Sequence, residues 1–189
     1  LLACTIAKSR GETPPMSLVL SGIIIGSLFT ALVGVMKYIA SDAELRDITF
    51  WMMGGFYYST WYDAALLAGI ILPAFGGLCL MSWRLNLLSL GDEEARSLGL
   101  NPSRIRLVII LLATLGAATC VATVGIIAWV GLMMPHAARM LLGPDNRLTM
   151  PAAALMGAIY LLVCDTIART LVGSEIPIAI VASLLGGPY

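Results

Sequence analysis

Asp165 and Arg169 lie four residues apart inside an apolar run, a spacing that places both side chains on one face of a helix. Ionisable groups in such a run are costly, so the pair reads either as functional or as a self-neutralising structural pair. A proton relay would need further groups of this kind, and no other apolar run has a carboxylate in its interior. His136, after Pro135, could shuttle protons or bind a metal, but no second ligand lies near it in sequence. The four cysteines, Cys4, Cys79, Cys120 and Cys164, are too widely spaced to suggest a metal site and read as small hydrophobic residues. The chain has neither a Gly-x-Ser-x-Gly elbow nor a Gly-x-x-x-x-Gly-Lys phosphate loop. It therefore carries no catalytic, metal-binding or cofactor-binding group, and any ATP-driven step would use an ATPase on another polypeptide.

The densest charge lies between Trp83 and Arg106, centred on Gly91-Asp92-Glu93-Glu94-Ala95-Arg96-Ser97-Leu98-Gly99. This is the grammar of a very short helix. Carboxylates at Asp92, Glu93 and Glu94 suit its positive N-terminal end, Arg96 sits nearer the C-terminal end, and Gly99 can take a left-handed stop. Asn101 then caps a further helix with Pro102 at its first position, where the missing N–H is harmless. Taken alone, the stretch reads more readily as a solvated loop with charges at its ends.

The elements around it are lipid-like. Hydrophobic residues make up 59% of the 189 and charged residues 12%, with a mean hydropathy of +0.94. About a quarter of residues are charged in soluble domains, so this is an all-α integral membrane protein. The zero net charge gives no sign of nucleic-acid binding. Apolar runs near the length of a bilayer core are expected over residues 16–36, 63–82, 105–124 and 150–172. A shorter run over 125–142 is interrupted by Pro135, and a last one, over 176–189, is cut short. The expected fold is one polytopic helical domain, 1–189, with about six membrane segments, the last truncated. Because the chain starts at Leu1 and ends in an apolar run, it reads as a fragment of a longer protein. Residues 41–51 alternate charged and apolar positions and lead into Trp51, Phe56, Tyr57, Tyr58, Trp61 and Tyr62, which suggests an outer interfacial helix with an aromatic belt. Gly22 and Gly26 form a Gly-xxx-Gly face suited to close helix approach.

Strict alternation with the charged knob inside puts Lys8, Arg10, Arg84, Arg96, Arg104, Arg106, Arg139 and Arg147 on the cytoplasmic side, and Lys37, Arg46 and Arg169 outside. The positive-inside rule favours that orientation. A cytoplasmic knob fixed to two spans is the projection through which a separate soluble motor could move a membrane domain.

With those residues in view, the chain resembles the FecCD, or type II, permease subunits of ABC importers for iron-siderophores, haem and cobalamin. The resemblance covers essentially the whole chain. It rests on Leu18-Val19-Leu20-Ser21-Gly22, on the run from Ile48 to Gly55, on Leu85 to Gly99, on Val130-Gly131-Leu132-Met133-Met134-Pro135-His136, and on Asp165-Thr166-Ile167-Ala168-Arg169. It implies spans five to ten of a ten-span permease in a bacterial or archaeal inner membrane. It further implies that Gly91, Asp92, Glu93, Glu94, Arg96, Ser97, Leu98 and Gly99 are a coupling segment seated on a cytoplasmic ATPase dimer, which binds the ATP. A second permease copy or paralogue would share the pathway, with the span from Met16 lining it and a gate at Thr13, Pro14, Pro15, Met16 and Ser17. Arg169 matches a position that, in a related cobalamin permease, faces acidic residues of the extracytoplasmic substrate-binding protein. A secondary transporter or a non-transporting scaffold are the alternatives; the first would need ion-coupling groups near the midplane.

Overall fold

The computed structural model describes residues 15–56, 59–170 and 176–187. Among them the chain forms eight helices: α1 Pro15–Ile39, α2 Asp42–Met52, α3 Trp61–Leu88, α4 Asp92–Ser97, α5 Pro102–Val124, α6 Val130–Leu142, α7 Asn146–Thr170 and α8 Ile178–Gly186. Four are long and apolar enough to cross a membrane: α3, α5, α7 and, from Val19, α1. α6 and α8, of 13 and 9 residues, are shorter than a full crossing. The chain separates into two units, one up to Thr49 and one from Phe50.

In the first unit α1 presents apolar side chains on nearly every side, as a helix in lipid can. Its hydroxyls bond inward: Ser27 donates to the Ile24 carbonyl at 2.8 Å and Thr30 to the Gly26 carbonyl at 2.9 Å. α2 is the short amphipathic helix expected over 41–51. Its start is fixed by the Glu44 carboxylate, which accepts from both the N–H and the hydroxyl of Ser41 at 2.8 Å. Those two bonds hold the Glu44 carboxyl below its usual range.

In the second unit α3 packs along α5 and α6 along α7, the two pairs meet through α3 and α7, and α8 lies on α7. α3 begins earlier than its apolar run because Thr60 and Asp63 form a reciprocal capping box. Small residues are prominent at the buried positions. Cys164, Ala168 and Ala182 join Ile178 and Val181 in the core, with Phe56, Ile127 and Tyr160 packed against it. This is how helices approach closely in lipid, where the hydrophobic effect no longer drives them together. The Tyr160 hydroxyl donates to the Ala182 carbonyl at 2.8 Å and ties α8 to α7.

Pro135 was the expected interruption of the run over 125–142, yet α6 continues through it. A proline at the sixth position removes only one intrahelical donor, so the helix survives. The interruption comes earlier, at residues 125–129. Gly125 ends α5 at φ 75° and ψ −165°, a region essentially reserved for glycine. The break is held by protein, as non-helical backbone at membrane depth must be. The Gly55 N–H donates to the Val124 carbonyl at 2.9 Å, and a Cβ on Gly125 would run into the Trp51 carbonyl and lie 2.8 Å from the Gly54 Cα. Trp129 then starts α6 at φ 69°, the single left-handed non-glycine residue among those described.

Gly125→Ala should therefore be strongly destabilising, by about 1–3 kcal/mol from the backbone conformation and more from the clash. Thermal unfolding of the full-length protein in detergent would show it as a clear fall in Tm; an unchanged Tm would mean the 125–129 break is not held as described.

Candidate functional site

The charged knob is built from its two ends inward. α3 runs on to Leu88, well past its apolar run, and the Ser89 N–H closes its last turn onto the Leu85 carbonyl at 3.1 Å. Gly91, at φ 130°, turns the chain into α4, and its carbonyl accepts from the Ala95 N–H at 3.1 Å. At its far end α4 stops as the sequence implies. Gly99 is left-handed at φ 78°; its N–H donates to the Arg96 carbonyl at 2.9 Å and the Leu100 N–H to the Ala95 carbonyl at 3.1 Å. This pair of bonds is a Schellman motif, which consumes carbonyls that would otherwise be orphaned. Two residues later the Asn101 side chain accepts from the Arg104 N–H at 3.1 Å, with Pro102 opening α5.

Side-chain contacts then fix the knob to its neighbours. Ala95 is 0% exposed, and Pro102 and Ile105 are buried at the start of α5. Asp92 Oδ1 meets an Arg106 terminal nitrogen at 2.9 Å, with the side chains 43% and 20% exposed respectively. A pair this open contributes no more than about 1 kcal/mol, so it orients more than it stabilises. Glu93, Glu94, Arg96, Ser97, Leu98 and Gly99 are exposed and form the outer face. A large apolar side chain, Leu98, stands among the charges at 59% exposure. That mixture can recognise a protein surface, but it holds nothing that could do chemistry.

Next to the knob is a second polar cluster, one with little signature in the sequence. Asn86, in the last turn of α3, donates to Asp145 Oδ1 at 2.6 Å. Its own oxygen accepts from the Asn146 N–H at 3.0 Å and from the Asn146 side chain at 2.8 Å. Asp145 Oδ1 also accepts from the Arg147 N–H at 2.9 Å, and the Arg147 guanidinium lies 4.5 Å above the Trp83 ring. The Arg147 N–H and the Asn86 amide hold the Asp145 carboxyl below the usual carboxylate range against a smaller opposing effect of burial. Only a polar residue near the end of a long apolar helix and a Gly-Pro-Asp-Asn turn hinted at it. Pairing across some sixty residues is not encoded in local sequence. The cluster puts the end of α3 and the α6–α7 turn at one end of the bundle, in keeping with the expected alternation.

Asp165 and Arg169 do meet, Nε to Oδ2, at 2.9 Å. Arg169 is 45% exposed on its side chain and Asp165 21%. The geometry includes the structural pair, with close to half of the Arg169 side chain exposed. Of the expected gate residues, Thr13 and Pro14 lie outside the described residues, as does the Pro15 side chain. Met16 and Ser17 fall in the first turn of α1. A Cβ on Gly22 or Gly26 would meet nothing within 4 Å, so that face is open. Trp51, Trp61 and Tyr62 are exposed, whereas Phe56 packs on the core; Tyr57 and Tyr58 lie outside the described residues. Among the described residues no group of three metal-ligating side chains is found.

Residues 1–189 match the FecCD transport family. The chain is 44% identical over 173 residues to a hemin transport system permease protein of Yersinia pestis, which spans 91% of this chain and 52% of that protein. It is 41% identical over 174 residues to a molybdate import system permease protein of Haemophilus influenzae, at 92% and 52% coverage. A solved inward-facing structure of a metal-chelate type ABC transporter matches with a TM-score of 0.90 at 40% identity, covering 92% of this chain and 57% of that one. The chain thus spans about half the length of the curated relatives it matches.

The Asp145 cluster makes a pH dependence testable. Its folded pKa is depressed, so its contribution is present above the unfolded value of about 3.9 and is lost as pH falls through the lower folded value. Asp145→Asn should lower Tm at pH 7 and the difference should close in strong acid. A gap that stays constant down to pH 2 would remove the carboxylate from the account.

Proposed function

The chain belongs to the FecCD transport family, and on that premise we propose that it forms the later spans, as one domain, of a permease subunit in an ABC importer. It is a multi-pass membrane protein, with four helices of spanning length; the proposed location is a bacterial or archaeal inner membrane. The cargo would be a metal chelate such as an iron-siderophore, haem or cobalamin, moved by alternating access. Relatives of near-equal identity handle hemin and molybdate, so this part of the permease does not by itself name the cargo.

The observation that carries the reading is the rigid knob. A separate ATPase dimer, which would bind and hydrolyse the ATP, can displace a membrane pathway only through a projection that does not yield. α4 is closed at its C-terminal end by backbone bonds, ion-paired to α5, and presents Glu93, Glu94, Arg96, Ser97 and Leu98 outward. The open Gly22 and Gly26 face of α1 suits a pathway shared with a second permease copy or paralogue, with the gate near residues 13–17. Arg169, at the opposite end of α7 from the knob, would meet an acidic partner, the extracytoplasmic substrate-binding protein. Each ligand drives the cycle only by favouring one state of the pathway over the other.

Replacing Glu93 and Arg96 together by alanine should cut transport per ATP hydrolysed roughly five- to tenfold, the lower range of typical coupling energies, while leaving the fold intact. Uptake of whichever metal chelate the unaltered full importer transports in proteoliposomes, measured with its ATP hydrolysis, would show it, and an unchanged ratio rejects the coupling role. For Arg169→Glu, binding-protein affinity should fall by more than Tm does. Loss of Tm with affinity preserved in the folded fraction would instead assign Arg169 to the pair with Asp165.

A further inference from the structure

The knob hangs from α3 and α5, but the second unit has another helix pair, α6 and α7, and displacement of the knob must reach it. We propose that Asn86, Asp145 and Asn146 form a polar latch that locks the two helix pairs together at the knob end, so that they move as one body. This rests on the coupling role proposed above for α4.

The latch stands on its placement. Asn86 is two residues from the end of α3, and the knob begins four residues further on at Leu90 and Gly91. Both ends of the Asn86 amide are used, and all three bonds go to residues 145 and 146, where α7 begins. Asn146 is held in turn by Arg139 of α6 at 3.4 Å. Thr149 of α7 donates to the Gly143 carbonyl at 3.0 Å, closing the α6–α7 turn on itself. One turn earlier on α3, Trp83 takes the Arg147 guanidinium on its face at 4.5 Å, a second contact between the same two elements. Apolar side chains between α3 and α7 could slide past one another in lipid with little change in energy. Directional bonds to a single amide cannot slide without breaking, and a broken one leaves part-buried polar groups unpaired. Asp92 and Arg106 do the corresponding work between α4 and α5.

The test uses the full-length permease with its ATPase, in a background without the native cysteines. Spin labels at Leu107→Cys on α5 and Leu148→Cys on α7, both exposed positions, report the separation of the two pairs. Distances are compared without nucleotide and with ATP trapped by vanadate. With the latch intact, the distance should be the same in both states. In Asn86→Leu, trapping should shift or broaden it, and Asn146→Ala, which removes the side-chain bond to Asn86 from the half-buried first residue of α7, should do the same to a smaller degree should the first variant fold poorly. A distance that changes on trapping in the unaltered latch overturns the proposal, because the pairs then slip with the bonds in place. So does a distribution in both variants that overlays the parent in both states. The Glu93 and Arg96 variant separates this from the coupling role: if it leaves transport per ATP unchanged, the coupling reading fails, whatever the latch distances show.

Discussion

Every peptide group placed in hydrocarbon must find its hydrogen-bond partner within the protein, and the architecture follows from that requirement. It turns the apolar runs into uninterrupted helices, and it lets their outward faces remain apolar because lipid, rather than water, surrounds them. It also bends the hydroxyls of Ser27, Thr30, Thr119 and Thr166 back onto carbonyls three or four residues earlier. Where the helical pattern stops at 125–129, the same requirement demands packed protein. The turn at Gly54 and Gly55 supplies it, one backbone against another with no side chain between them.

Polar interactions are correspondingly confined. Most of those that join different helices gather at the knob and at the α3–α7 junction, and there they set orientation while small buried residues set distance. The two roles are separable in energy. The half-exposed Asp92–Arg106 pair adds little to stability, whereas Ala95, Ala138, Cys164 and Ala168, all almost fully buried, allow the helices to approach at all. Asp165 with Arg169 is the exception on the far half of α7, a charge pair that neutralises itself within one turn of helix.

Much of this was legible in the chain itself. The spans followed from hydropathy and the short helix α2 from its alternation. The ends of the knob followed from cap chemistry, because Gly99 tolerates a left-handed stop, Asn101 can cap, and Pro102 suits a first helical position. The misplaced break shows the limit of that approach. Pro135 carries a strong local signal but costs a helix of this length only one bond. Gly125 carries a weak one, and its conformation is imposed by Trp51 and Gly54, far away in sequence. The Asn86 cluster was invisible for the same reason, since its three bonds join residues brought together only by folding. The role of the knob was suggested by resemblance and by the absence of a phosphate loop, not by its caps alone.

The closing bonds of α4 have a consequence for how such a segment can vary. Six residues are held between a turn at Gly91 and a stop at Gly99, and one inserted residue would rotate everything beyond it by about 100° and lengthen the helix by about 1.5 Å. Side chains on the outer face could be exchanged freely for others of similar shape without moving either end. Length is therefore what the fold fixes here, and side-chain identity on the outer face is left open. A knob of this construction can change the chemistry of its outer face by substitution, but not its length by insertion or deletion.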